Sequence, residues 1–298
     1  MTFLTVATRK SQLALAQSRA WMRELTRVTG VLTRELHVVT TGDRVQDVAL
    51  SQIGGKGLFI KEIEEALVDG RADVAVHSMK DVPAEIAPSL VIGCVPPRED
   101  PRDVVVTREG CPFEELRSGA RVGTSSLRRA TMLRAWRPEL DYVPLRGNVD
   151  TRLRKCADGV VDAVVLARAG LLRLGLEARA TQILDPSRCL PAIGQGALAV
   201  EQRAGDEATR ALVERLTHPE TWIAVAAERG VMTAVEGSCQ MPVAAYGVRD
   251  GGELWLRGML AEPDGSHAVF RDLRAVWPGT AAAATALGVE LGRELRDA

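Results

Sequence analysis

Five short segments of this 298-residue chain place residue types where they could do chemistry. The first is HSMKDVP, in which Lys80 and Asp81 follow directly on the apolar run ADVAVHS. In open α/β sheets the carboxyl ends of strands are where ligands collect. A carboxylate beside an ammonium can stay ionised, and it can then stabilise a cationic intermediate or exchange a proton with a substrate. A solvated Lys-Asp pair in a loop accounts for the same two residues equally well. His77, inside the run, reads as a packed strand residue rather than a base.

The second segment is VGTSSLRRATMLR, where a strand passes through Gly123, Thr124, Ser125 and Ser126 into a helix. Hydroxyl residues at a helix start are ordinary caps. Arg128 and Arg129 fall within the first turn, where the helix dipole disfavours cations, so local helix energetics leave them unexplained. A ligand bearing carboxylates or phosphates would explain them, because guanidinium forks suit both groups and a helix N-terminus attracts anions. The third segment, PLRGNVDTRLRK, repeats the pattern with Arg146 at the turn and Arg152 and Arg154 in the helix. Those two point in different directions at helical spacing, and Arg152 is the one favoured to share a ligand with Arg146. Arg9 after the first strand, Ser11 at the next cap and Arg173 in AGLLRLG add to a set gathered at strand-to-helix junctions, which points to a polyanionic ligand.

The fourth segment, GGKGLFIKE, is a glycine-rich turn bearing Lys56; it lacks the spacing of a nucleotide P-loop and reads as a lid or hinge whose lysine reaches the ligand. The fifth, EGSCQMP, puts Cys239 in a Gly-Ser loop. A loop thiol is available for covalent chemistry, yet on local chemistry alone an incidental free cysteine is sufficient.

Short Val- and Ile-rich runs must position these groups. LTVAT, ELHVVT, ADVAVHS, LVIGCV, DVVVT, RVGTSS, DYVPLRG, VDAVVLA and GALAVEQ read as strands. They alternate with helical patterns in SQLALAQSRAWMRELTRV, GLFIKEIEEALVDG, PFEELRSG, SSLRRATMLRAW and NVDTRLRKCADG, which predicts a parallel sheet with crossover helices. VPPREDPRD, residues 95–103, packs prolines and charges between two strands and reads as a hinge between domains. After His218-Pro219 comes a helix, the cysteine loop, three antiparallel strands with Asp-Gly and Pro-Asp-Gly-Ser turns, and a closing Ala-rich helix: a smaller α+β domain.

Composition bounds the function. A net charge of −1 argues against general nucleic-acid or anionic-membrane binding. No unbroken apolar stretch reaches membrane-spanning length, and MTFLTVATRKSQLALAQ lacks an export-signal pattern, so a cytoplasmic location with reduced cysteines is expected. Of 38 basic residues only Lys10, Lys56, Lys61, Lys80 and Lys155 are lysine; base composition accounts for most of that bias, so position rather than number carries the reading above. The five cysteines are scattered, with no CxxC pair and no His at ligand spacing, and no metal is expected.

Taken in order, ATRKSQLAL, GGKGLFIKE, ADVAVHSMKDVP, GTSSLRR, LRGNVDTRL, LPAIGQGA and GSCQMP closely resemble the porphobilinogen deaminase (hydroxymethylbilane synthase) family, from about residue 4 to residue 262. The resemblance implies two α/β domains built like type II periplasmic binding proteins around a cleft, residues 1–96 with 197–216 and residues 97–196, plus an α+β domain over 217–298 that carries the cysteine loop. It implies a transferase that joins four porphobilinogen molecules head to tail with loss of ammonia, built on a dipyrromethane cofactor held through a thioether to Cys239, in a monomer. It further implies that Asp81 stabilises a cationic azafulvene, and that Arg9, Ser11, Lys56, Lys80, Thr124, Ser126, Arg128, Arg129, Arg146, Arg152, Arg173 and Gln195 bind cofactor or substrate. Many members have Gly-Gly-Cys where this chain has Gly237-Ser238-Cys239. The rival reading is a non-catalytic binding protein for an acidic small molecule, since the fold does not fix the function.

Overall fold

The computed structural model describes residues 3–44, 60–235 and 241–298; Lys56 and Cys239 therefore lie outside the described residues. Thirteen strands among the described residues form three sheets.

The first sheet has the order β2-β1-β3-β10-β4, from Leu32–Val38, Phe3–Arg9, Val74–Ser78, Leu198–Arg203 and Leu90–Cys94. The second has the order β7-β6-β8-β5-β9, from Asp141–Val143, Arg121–Gly123, Ala163–Ala167, Asp103–Thr107 and Gln182–Ile183. In both, three parallel strands are followed by one that runs antiparallel. The sheets are thus mixed, which corrects the all-parallel expectation. The antiparallel member is in each case the strand that has just crossed between the lobes, β5 after the first crossing and β10 after the second. Alternation of apolar runs cannot report direction, because a strand buried on both faces looks the same whichever way it runs.

This reversal has a functional consequence. Antiparallel strands begin where their neighbours end, so Asp103 at the start of β5 pairs with Ala167 at the end of β8, and Leu198 pairs with Ser78. The crossing segments are delivered to the same sheet edge as the Lys80-Asp81 turn and the arginine-bearing helices.

The helices of the two lobes are α1 (Gln12–Thr29), α2 (Lys61–Val68), α3 (Leu127–Trp136), α4 (Val149–Ala157) and α5 (Arg168–Arg173), with α6 (Glu207–Val213) following β10; all but α2 carry arginine. Apolar side chains on both faces of each sheet explain the near-continuous hydrophobic runs: Leu4, Val6, Trp21, Leu25 and Val76 pack on one face of the first, and Ala7, Ile63, Leu67 and Ala75 on the other. Three expectations shorten. PFEELRSG gives only a single turn at Phe113–Glu115, and RVGTSS and DYVPLRG leave the sheet at Gly123 and Val143. Glycine and proline there end the strands sooner than their β-branched residues suggest.

The third sheet, β11-β12-β13 (Val243–Asp250, Glu253–Leu260, Val269–Val276), is antiparallel and backed by α7 (Pro219–Ala234) and α8 (Ala281–Arg296). The two helices touch at backbone distance: a Cβ on Gly288 would lie 1.9 Å from the Ala227 carbonyl oxygen.

Both crossings are tied to α7 by one buried ion pair. Arg98 donates from Nη1 and Nη2 to the two carboxylate oxygens of Glu228 at 2.6 and 3.1 Å, and from Nε to the Gln195 carbonyl at 2.8 Å. Glu228, with no exposed side-chain surface, also accepts the Gly194 N–H at 2.7 Å and the Gly247 N–H at 2.9 Å. The GQG turn fits against the first crossing only because Gly196 has a φ of +87° and no Cβ; one would stand 2.3 Å from the Glu99 oxygen. Removing one partner of a buried pair costs about 3–5 kcal/mol. Glu228→Ala is expected to lose stability of that order in urea unfolding, and a loss below about 1 kcal/mol would show that the junction does not depend on it.

Candidate functional site

Arg9 ends β1 and Ser11 caps α1, its Oγ accepting the Ala14 N–H at 3.3 Å. Next to them β3 ends in the turn Met79–Asp81. Arg9, Gln17, His77, Ser78 and Asp81 line a small cavity of about 30 Å³ at this junction. His77 is buried and its Nε2 lies 3.0 Å from a Glu201 carboxylate oxygen, which makes it an interior pairing group as its place in the strand suggested.

From the other lobe, α3 begins at Ser126, whose Oγ accepts the Arg129 N–H, while the buried Thr124 hydroxyl accepts the Ser126 N–H at 3.2 Å. Ser125 stitches this loop to the next: its hydroxyl donates to the Leu145 carbonyl at 3.0 Å and accepts the Leu145 N–H at 3.1 Å. The Arg146 turn is fixed relative to α3 by that exchange.

Arg128 and Arg129 converge on Asp103. Arg129 reaches one carboxylate oxygen from Nε at 3.0 Å and Nη2 at 2.7 Å; Arg128 Nη1 lies 2.8 Å from the other. Gln195 adds an amide N–H to Asp103 at 2.9 Å, and Arg129 also donates to the Val165 carbonyl at 3.0 Å. Asp103 is wholly buried, and the two guanidiniums hold its carboxyl far below the ordinary range against the opposing effect of burial. The sequence reading looked to a bound anion to explain these arginines; the chain also supplies an internal one. Sequence reading missed Asp103 because it lies in the charged crossing EDPRD, where its charge reads as solvation of a loop.

Arg128 and Gln195 are 4 % and 1 % exposed and spend hydrogen bonds inside the protein, Arg128 on the Leu190 carbonyl as well. Arg173 donates to the Gly196 carbonyl at 2.6 Å, so it holds the GQG turn, and burial lowers it to about 10. Arg128 and Gln195 are buried, while Arg173 keeps part of its surface exposed.

One carboxylate against two guanidiniums leaves positive charge uncompensated, and its effect reaches the neighbours. Arg152 is pushed down to about 10 by burial first and then by Arg129 and Arg146, with Asp81 opposing; its Nε is buried and has no hydrogen-bond partner among the described residues. Arg154 is exposed. Lys80 is lowered to about 8, by crowding first and then by Arg129, with Asp81 and Asp103 opposing. Its side chain reaches water, yet it is walled by protein, as a group on a cleft floor would be. Asp81 from the first lobe thus stands in the field of Arg152 from the second, and Lys80 in that of Arg128 and Arg129.

An excess of cations with an orphaned buried guanidinium N–H is a donor set for an anion carrying several carboxylates. A dipyrromethane, with an acetate and a propionate on each pyrrole, fits it. Burial raises three of the four thiols within the described residues, Cys94 to about 11, Cys189 to about 12 and Cys156 as well, while the fourth, Cys111, is partly buried against the core of the second sheet.

Comparison with known proteins gives two family matches: "Porphobilinogen deaminase, dipyromethane cofactor binding domain" over residues 4–211 and "Porphobilinogen deaminase, C-terminal domain" over 222–297. A porphobilinogen deaminase of Sorangium cellulosum is 63% identical over 296 residues, covering 99% of each chain. One of Syntrophobacter fumaroxidans is 48% identical, covering 99% of this chain and 94% of its own. Among solved structures, the methionine-binding protein MetQ aligns with a TM-score of 0.46 at 11% identity, over 76% of this chain and 94% of its own.

The Lys80 shift predicts a pH dependence. A lysine lowered in the folded state from 10.5 to about 8 binds fewer protons there than in the unfolded chain across that interval, so it disfavours folding below about 8 and ceases to do so as pH rises towards 10.5. In a Cys239→Ala background, stability relative to the further variant Lys80→Met is expected to rise between pH 8 and 10.5. A flat difference in chemical denaturation would contradict the crowding of that ammonium.

Proposed function

The chain belongs to the porphobilinogen deaminase family, and on that premise we propose how its own residues carry the reaction, with Asp81 as the catalytic carboxylate. The activity is the head-to-tail condensation of four porphobilinogen molecules, with loss of ammonia at each addition, to give hydroxymethylbilane. The observation that carries the assignment is that Asp81, from the first lobe, lies within electrostatic reach of Arg152 from the second and of the neighbouring Lys80.

Each porphobilinogen brings an acetate and a propionate, so negative charge accumulates as the product grows. Arg9, Arg146, Arg152, Lys80 and Arg129 offset it, and the hydroxyls of Ser11, Thr124 and Ser126 complete the carboxylate contacts. Arg128, Arg173 and Gln195 act by holding those groups. Loss of ammonia leaves positive charge on the substrate pyrrole. A fixed carboxylate facing that charge stabilises the transition state more than the neutral ground state, and Asp81 also accepts the pyrrole N–H. When bound through Cys239, the dipyrromethane supplies the pyrrole carbon to which the first substrate is joined. Cys239 and Lys56 take their roles from the family motifs.

The sheets support a division into residues 1–96 with 197–216, 97–196 and 217–298, since β10 lies between β3 and β4 in the first sheet. We further propose a cytoplasmic monomer that binds no nucleic acid. Among the described residues no helix is long and apolar enough to cross a membrane.

Asp81→Asn keeps size and hydrogen bonding but removes the charge. It is expected to lower porphobilinogen turnover by about 100-fold or more while four ammonia are still released per hydroxymethylbilane formed. Turnover within about threefold of wild type would remove Asp81 from the chemistry.

A further inference from the structure

The turn that carries Asp81 is pinned from two sides. Before it, the Met79 N–H donates to the Ala197 carbonyl at 3.0 Å, and the Val82 N–H closes the turn onto the Met79 carbonyl at 3.0 Å. After it, residues 82–89 run to β4 with no strand or helix. Backbone carbonyls in such a segment must find donors elsewhere. One side chain supplies them. Arg229 on α7 donates from Nη1 to the Val82 carbonyl at 3.3 Å, and from Nη2 to the Pro83 and Ala84 carbonyls at 2.8 and 3.2 Å.

This spends a largely buried guanidinium on three consecutive carbonyls rather than on a carboxylate, although a buried cation with only neutral partners is costly. Burial lowers Arg229, and Glu201 is the one charge that offsets the effect. A planar fork can span three carbonyls where an ammonium offers a single donor atom. The contact also joins two things the chemistry must keep in register: α7 precedes Cys239 in the sequence, and the clamped carbonyls begin at the residue after Asp81.

We propose that Arg229 is a positioning residue for the reaction: it fixes the Asp81 carboxylate relative to α7, the helix that precedes Cys239 in the sequence. The inference rests on the reading of Asp81 as the catalytic carboxylate. An error of about 1 Å in the placement of a catalytic group is enough to cost on the order of 100-fold in rate.

The test is a double-mutant cycle in the full-length holoenzyme, with covalent loading checked by intact mass and with backbone amide exchange followed across Val82–Ala87. Arg229→Met is expected to lower kcat about 30-fold with KM changed less than about threefold, to accelerate exchange in that segment, and to cost under about threefold when Asp81 is already Asn. Arg229→Lys, which keeps the charge and the stem, should recover only part of kcat, and it takes the place of Arg229→Met in the cycle if that variant does not fold. A kcat for both variants within about twofold of wild type, or an equal loss with and without the Asp81 carboxylate, would overturn the proposal. If Asp81→Asn itself turns over normally, the catalytic reading fails first, whatever Arg229 does.

Discussion

Asp103 is a wholly buried carboxylate that faces two guanidiniums, and the architecture around the cleft depends on that imbalance. Without it, Arg128 and Arg129 would be buried cations on the first turn of a helix whose dipole opposes them. With it, they are held in place, and the pair of lobes keeps positive charge to spare. The spare charge acts on Arg152 and Lys80, both lowered by burial and by neighbouring arginines. Such groups gain most from an anion, because a bound carboxylate both pairs with them and relieves their mutual repulsion. The internal carboxylate therefore sets the stage for external ones.

Asp103 can serve in this way because of strand direction. As the first residue of the strand that enters the second sheet antiparallel, it arrives at the edge where β6 and β8 end. The second crossing brings Gln195 to the same carboxylate and returns β10 beside the Asp81 turn. Asp103 lies at the end of the first crossing and Gln195 on the second, and β10, which follows the second, runs beside the strand that ends in the Asp81 turn. The third domain restrains both crossings through the Arg98–Glu228 pair.

Much of this was legible in the sequence for physical reasons. Arg128 and Arg129 stood out because local helix energetics leave cations in a first turn unexplained, and Arg9, Arg146 and Arg152 because they gather at the same kind of strand-to-helix junction. Ser11 and Ser126 as caps followed from their place before helical periodicity, and both cap. Strand direction was not legible, since an apolar run buried on both faces carries no polarity. Nor was the role of Asp103, because a carboxylate in a Pro- and Arg-rich crossing looks solvated until the opposite lobe is placed over it. The interior duties of Arg128, Gln195 and Arg173 were hidden for the same reason: pairing across lobes is long-range, and no local spacing encodes it.

The central claim is a division of labour in which Cys239 holds the growing chain while Asp81 and the surrounding cations act on it. Intact-mass measurement of the purified wild-type and Cys239→Ala chains tests it most directly. The wild-type chain should exceed its sequence mass by one dipyrromethane, located by peptide mapping to the segment containing Cys239, and Cys239→Ala should match its sequence mass. A wild-type chain at its unmodified mass that nevertheless converts porphobilinogen would contradict the account.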